Sequence, residues 1–322
     1  MKPNFPDGLR ITPSCNPFSA GHHSREDDAF GWSAQAEAIE RYGIAGRVWE
    51  ASYIMEEYLN PKAILDPPGI FAAENSIQTA ENGMHDNATE DGSGSGAPKV
   101  ILELGSGTGL LSARMAELAS PEDLIIATDL PEVCPLIEKN IGSTIKRAAC
   151  TVAVRPLAWG NAEHVEALRR GYFSSLSYKA LTHVVCSDLV YFPELLAPLL
   201  RALLSVTTAP FIDRASPPTI AISYKVRSLV KESPFWSAFG LWFNFAPVFA
   251  KDSRGRWRRV GAIEGAGDDA MFLFVAQRKA ESLNWPIPDS DEELLGGVGA
   301  EGTMSRKGDS TFESLLLMDI SD

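Results

Sequence analysis

Glu103, Gly105, Gly107 and Gly109 fall at alternate positions in KVILELGSGTGLLSARMAEL, where a short apolar run gives way to a helical pattern. Glycines at such a junction serve two needs: a tight strand-to-helix turn with positive φ, and close approach of the backbone to a bulky ligand. A dinucleotide fingerprint would carry its third glycine where this chain has Leu110, so the pattern is E-x-G-x-G-x-G, without a pyrophosphate cradle. Twenty positions after Gly109 stands Asp129, in LIIATDL. An aspartate at a strand end can accept hydrogen bonds from both ribose hydroxyls of an adenosine; two residues before Pro131, it could also cap a helix. Trp49, in GRVWEAS, and Trp159, in PLAWGN, could wall the same cleft or belong to the core. Asp188 and Tyr191, in VVCSDLVYFPELLAPLL, follow a further apolar run, where open α/β sheets place their active sites. A loop aspartate capping local amides and a half-buried tyrosine are the plainer alternatives.

Such residues must be positioned by alternating strands and helices. Short apolar runs at Val100–Leu104, Leu124–Thr128, Thr151–Leu157, His183–Ser187 and Thr219–Tyr224 read as buried parallel strands. Helical patterns lie between them at Leu110–Leu118, Val133–Asn140 and Glu194–Val206, with an amphipathic segment from Val226 to Phe243 after the fifth strand. Phe245–Phe249 and Met271–Gln277 supply two final strands, read as a hairpin. The fold class is therefore α/β: a Rossmann-like seven-stranded, mostly parallel sheet with helices on both faces. Residues 1–30 look poorly ordered, and 31–280 form one domain with flexible insertions at about 74–98 and 251–269. From 281 to 322 the acidic, Gly-rich composition predicts a disordered tail. Trp32–Leu59 precedes the sheet and includes a helix that ends before Pro61.

With 322 residues and 45% hydrophobic content the chain can bury a sizeable core. A net charge of −13 disfavours direct nucleic-acid binding and suits a basic protein partner. Four cysteines without C-x-x-C spacing point to a reducing compartment, with Cys134 and Cys186 in the core, and no metal set is evident. The N-terminus lacks an apolar signal region, and the aromatic stretch Pro234–Ala250 reads as a buried helix and strand, too short for a membrane span. The expected location is the cytoplasm. No coiled coil or exposed repeat is visible, which points to a monomer.

Taken together, RVWEAS, ILELGSGTGL, the TDL around Asp129, LAWG, SDLVYFPELLAPLL, AISYKVRS and DDAMFLFVAQRK resemble the seven-β-strand protein-lysine methyltransferases of methyltransferase family 16, which includes fungal elongation-factor methyltransferases. The resemblance runs from about Arg47 to Lys279. It implies S-adenosyl-L-methionine as cofactor and a lysine of another protein as acceptor, with translation elongation factor 1A first among the expected substrates and a chaperone or an AAA ATPase as alternatives. It implies that Trp49, Glu103, Gly105, Ser106, Gly107, Asp129, Trp159 and Ser187 bind the cofactor, with Ser187 standing where many relatives have alanine. Asp188 and Tyr191 would line the acceptor channel as the catalytic pair, and Glu50 would support the methionine end. A methyltransferase for a small molecule or other non-lysine acceptor, or a non-catalytic cofactor-binding scaffold, would share the fold. The glycine absent at Leu110 argues against a nicotinamide-dependent oxidoreductase.

Overall fold

A computed structural model of the protein describes residues 10–16, 29–72, 97–174, 180–262 and 270–319. Before the sheet come α1 (Trp32–Tyr42), a single 3-10 turn, α2 (Glu50–Leu59) and the two-residue β1 (Leu65–Asp66). The alternating core follows: β2 (Val100–Leu104), α3 (Leu110–Leu118), β3 (Leu124–Asp129), α4 (Cys134–Ile145), β4 (Thr151–Pro156), α5 (Ala162–Leu168), β5 (His183–Ser187), α6 (Pro193–Val206), β6 (Thr219–Lys225) and α7 (Leu229–Trp242). The last strands are β7 (Phe243–Pro247), β8 (Phe249–Lys251), β9 (Trp257–Arg259) and β10 (Met271–Arg278).

The main sheet has the order β4-β3-β2-β5-β6-β10-β7, parallel except where β10 runs antiparallel to both neighbours. All five residues of β2 are buried, as a central strand covered on both faces requires. Its side chains alternate between two cores: Leu102 and Leu104 pack with α6 and α7, while Ile101 packs with α2 and α3. The chain works outward from β2 to β4 and then returns to β5. That reversal opens a crevice at the carboxyl ends of β2 and β5, where such sheets bind ligands. The predicted final hairpin is present as β7 paired with β10, in register Val275 to Ala246.

Three boundaries depart from the expectation. The chain beyond residue 281 is packed: α8 (Asp291–Leu295) and α9 (Thr311–Asp319) lie against α7. Phe312 is fully buried, its ring stacked 4.9 Å from that of Trp236. A few widely spaced apolar residues, Leu294, Val298 and Phe312, anchor a segment whose average composition is that of a tail. Within the expected insertion at 251–269, residues 251–259 belong to a small second sheet of order β1-β8-β9, while 263–269 lie outside the described residues. The insertion at 74–98 lies almost wholly outside them as well. Of the first thirty residues, Ser14 is buried, donating its hydroxyl to the Val48 carbonyl and exchanging hydrogen bonds with Gln35. All four cysteines are unpaired; Cys186 is buried, and Cys134 is half-buried, packed against a core cluster of α3, β3, α4 and β4. Among the described residues no helix is long and apolar enough to cross a membrane.

Candidate active site

The turn after β2 is drawn tight by its own main chain. Gly105, Gly107 and Gly109 have φ of 60°, 54° and 83°, in the left-handed region that side chains disfavour. A Cβ on Gly105 would also lie 2.7 Å from Leu189 and 3.1 Å from Trp159, so glycine is required there for space as well as for torsion. The Gly107 N–H donates to Asp129 Oδ2 at 2.8 Å, and the Leu130 N–H to Oδ1 at 2.7 Å. Asp129 thus ties the end of β3 to the turn. Burial pushes its carboxyl up to about 6, against the pull of those two N–H groups. Beneath the turn Glu103 accepts from the Ser112 hydroxyl on α3, and burial raises its carboxyl to about 7. Ser106 and Thr128 exchange two hydrogen bonds of 2.9 and 3.1 Å, which lock the turn onto β3.

A cleft opens above this turn, and Trp49, Glu103, Gly105, Ser106, Gly107 and Ser187 of the predicted set line it together. Arg47, Ser52 and Thr108, which the motifs did not mark, line it too, as does Leu110, marked only as the residue where a third glycine would stand. Trp159 packs on Gly105 from behind. Ser187 sits in a chain of hydroxyls, 3.1 Å from Ser52 Oγ and 3.0 Å from Ser223 Oγ. Glu50 is engaged by Arg47. The Arg47 guanidinium lies 4.5 Å from the Trp49 ring centre, and its buried Nε has no hydrogen-bond partner.

At the end of β5 the picture changes. Asp188 has φ 60° and is buried, but its carboxylate is gripped by Arg227 through both guanidinium nitrogens, Nη1 at 2.7 Å from Oδ1. The Lys225 N–H adds a longer bond of 3.3 Å. Arg227 in turn lies 5.2 Å from the Trp49 ring centre, so one cation connects the strand-end acid to the cleft wall. Arg227 was legible only as a residue two past the end of β6, a position open to function in this architecture. Tyr191 packs edge-on against Phe192 at 4.8 Å; burial raises its phenol well above the ordinary value, and the charges of Asp129 and Asp188 add to the rise.

The sequence bears its own relationships. A family model described as lysine methyltransferase matches residues 33–239. The protein-lysine N-methyltransferase EFM6 of Saccharomyces cerevisiae is 27% identical over 189 residues, 58% of this chain and 65% of the relative, so the chain spans just under two thirds of that curated protein. Among solved structures, precorrin-6y C5,15-methyltransferase from Geobacter metallireducens superposes with a TM-score of 0.34 at 14% identity, covering 56% of this chain and 80% of its own. The SAM-dependent O-methyltransferase of Thermotoga maritima gives 0.31 at 14%, covering 56% and 59%. Overlaps of that size leave the fold to be read from the strand order. The family model spans the cleft, the strand-end acids and most of the sheet, and the chain belongs to the lysine methyltransferase family.

Proposed function

We propose that the protein is an S-adenosyl-L-methionine-dependent protein-lysine N-methyltransferase. The observation that carries the reading is one cleft, in a chain of this family, lined by the glycine turn after β2 and by Ser187 at the end of β5, with Asp129 bonded to Gly107 of that turn and Asp188 next in sequence to Ser187. The residues present fit the cofactor. Gly105 and Gly107 leave the turn bare where a Cβ would meet Leu189 or the Ala45 carbonyl, and Arg47 keeps an open donor. Asp129 would hold the ribose, Trp159 the adenine region, Trp49, Glu103, Ser106 and Ser187 the remaining walls, and Arg47 a carboxylate. When bound, the cofactor supplies an activated methyl group on a sulfonium, so the protein's task is alignment more than acid-base power.

The acceptor amine must be neutral to attack, and a free lysine has a pKa near 10.4. A bare buried carboxylate would hold it as the ammonium. Asp188, already neutralised by Arg227, offers less reason to stay charged while keeping a lone pair with which to orient the amine. Tyr191 shapes the channel, and water takes the proton. Translation elongation factor 1A is the first acceptor to test, on the resemblance to fungal elongation-factor methyltransferases, with a chaperone or an AAA ATPase next. The four unpaired cysteines suit the cytoplasm.

The test incubates the protein with tritiated S-adenosylmethionine and a lysate from cells lacking its gene. One labelled band, lost with Asp129→Ala, is the expected result. Cofactor binding by calorimetry without any band would move the assignment to a small-molecule acceptor or a non-catalytic scaffold. Absence of cofactor binding would overturn it.

A further inference from the structure

The β8–β9 hairpin differs in charge from the molecule that carries it. Residues 251–259 (KDSRGRWRR) hold five cations and one acid, in a chain of net charge −13. Asp252 is already spoken for: its carboxylate pairs with Arg256 at 3.0 Å and Arg258 at 3.6 Å, closing the turn. The register places Lys251 opposite Trp257 and Phe249 opposite Arg259, so these four share one face. Arg259 turns inward, lying 3.9 Å from the Phe272 ring centre and bonding the Met271 carbonyl. The others stay out. Trp257 is 49% exposed and Phe249 39%, and Ile64, which leads into the neighbouring β1, is 57% exposed. An aromatic-basic face of this kind is costly to leave in water without a use.

Its place in the fold connects it to the cleft. β7 runs parallel to β6, since both are antiparallel to β10, so the chain enters β8 at the carboxyl end of the sheet. Gly261, just past β9, packs against the Met271 carbonyl and Ile54 of α2. Two residues earlier on α2, Ser52 lines the cleft and reaches Ser187. A little over half a turn of α2, a rise of about 3 Å, therefore separates the cleft wall from the root of the hairpin.

Resting on the lysine-methyltransferase reading, we propose that this hairpin is a docking face for an acidic, partly apolar segment of the acceptor protein. The partner would present a lysine to the cleft and carboxylates, with an apolar side chain or two, to Lys251, Arg254 and Trp257. Charge complementarity selects the occupant: the hairpin's cations call for an anionic segment beside the acceptor lysine on one partner surface. A nucleic acid would supply the anions but no aliphatic amine, and the acidic remainder of the surface would repel its backbone.

The test uses the full chain with Lys251→Glu/Arg254→Glu, which leaves both Asp252 pairs of the turn in place, and separately Trp257→Ala. Each is compared with wild type for initial rates of tritium transfer to the labelled lysate band, across lysate dilutions and salt concentrations, with cofactor affinity measured by calorimetry. The expected result is a rate about tenfold lower at high dilution, converging on wild type as substrate rises and, for the charge reversal alone, as salt rises, with cofactor affinity unchanged. Equal rates for wild type and both variants at every dilution would overturn the proposal while leaving the methyltransferase reading intact. Loss of the wild-type label after nuclease treatment would overturn it in favour of a nucleic-acid occupant. A wild type that binds cofactor but labels nothing would remove the reading on which the proposal rests.

Discussion

Asp129 and Asp188 both stand at the carboxyl ends of parallel strands, yet they are held by different means. Two backbone N–H groups, from Gly107 and Leu130, fix Asp129, and both belong to turns that the local sequence dictates. A guanidinium from 39 residues downstream fixes Asp188, with one weak amide bond besides. The cofactor side of the cleft is thus built from main chain and stays in shape whatever its neighbours do. The acceptor side depends on a single long-range ion pair, and its geometry is only as firm as that pair.

The most severe way to break this contrast is Arg227→Met. The Asp188 side chain is 1% exposed, so removing its partner strands a buried charge, and a loss of about 3 kcal/mol is expected in urea unfolding. Adding Asp188→Asn should restore most of it. A single-variant loss below about 1 kcal/mol would make the pair no firmer than a surface bridge.

Glu103 offers a comparable effect on the cofactor side, through pH. Its carboxyl titrates near 4.5 unfolded and is raised to about 7 by burial, so the folded protein binds the proton more tightly. Stability from this group is therefore full below about pH 4.5 and is lost as pH rises to about 7, on the order of 3 kcal/mol in all. Glu103→Gln should flatten that slope, measured as unfolding free energy at several pH values; an unaltered slope would place the titration elsewhere.

Gly105→Ala should cost about 2 kcal/mol, from the positive φ and the approach to Leu189, and should abolish cofactor binding in calorimetry. Normal binding would mean that the turn is less rigid than its hydrogen bonds imply. The smallest effect belongs to Arg47→Met. Its pair with Glu50 is partly exposed and spaced i,i+3, so stability should fall by only about 0.5 kcal/mol. Cofactor affinity should fall further than that, because Arg47 lines the cleft and its buried Nε has no partner of its own; equal affinity would sink its assignment to a carboxylate.

The same contrast explains what the sequence made legible. Glu103, the glycines and Asp129 form a motif whose partners lie on one turn and the next strand, so their type and spacing carry the geometry. The alternation of short apolar runs with helices likewise forecast the sheet, because each period reflects burial of a face. Arg227 was invisible as a partner of Asp188: nothing in VRSLVKES marks a cation aimed across a strand end. Glu50, expected to support the methionine end, pairs with the cleft-lining Arg47, a partner that its place in the sequence did not announce. The segment after 281 was misread because averaged composition hides isolated anchors such as Phe312, whose worth depends on a pocket made by Tyr224, Trp236 and Phe274 far upstream.

Because β10 lies between β6 and β7, the order in which the chain leaves the ribosome differs from the order in which its edges close. β6 is complete at Lys225, yet its free edge has no partner until Arg278 has emerged, and β7 waits beside it unpaired. At ordinary synthesis rates that interval is roughly 3–10 s. For its duration a strand of sequence TIAISYK and the aromatic side chains of α7 stand uncovered. The nascent protein is therefore exposed to mispairing between the emergence of Lys225 and that of Arg278, and slowing translation within that stretch should raise its demand for chaperones more than slowing it before Lys225.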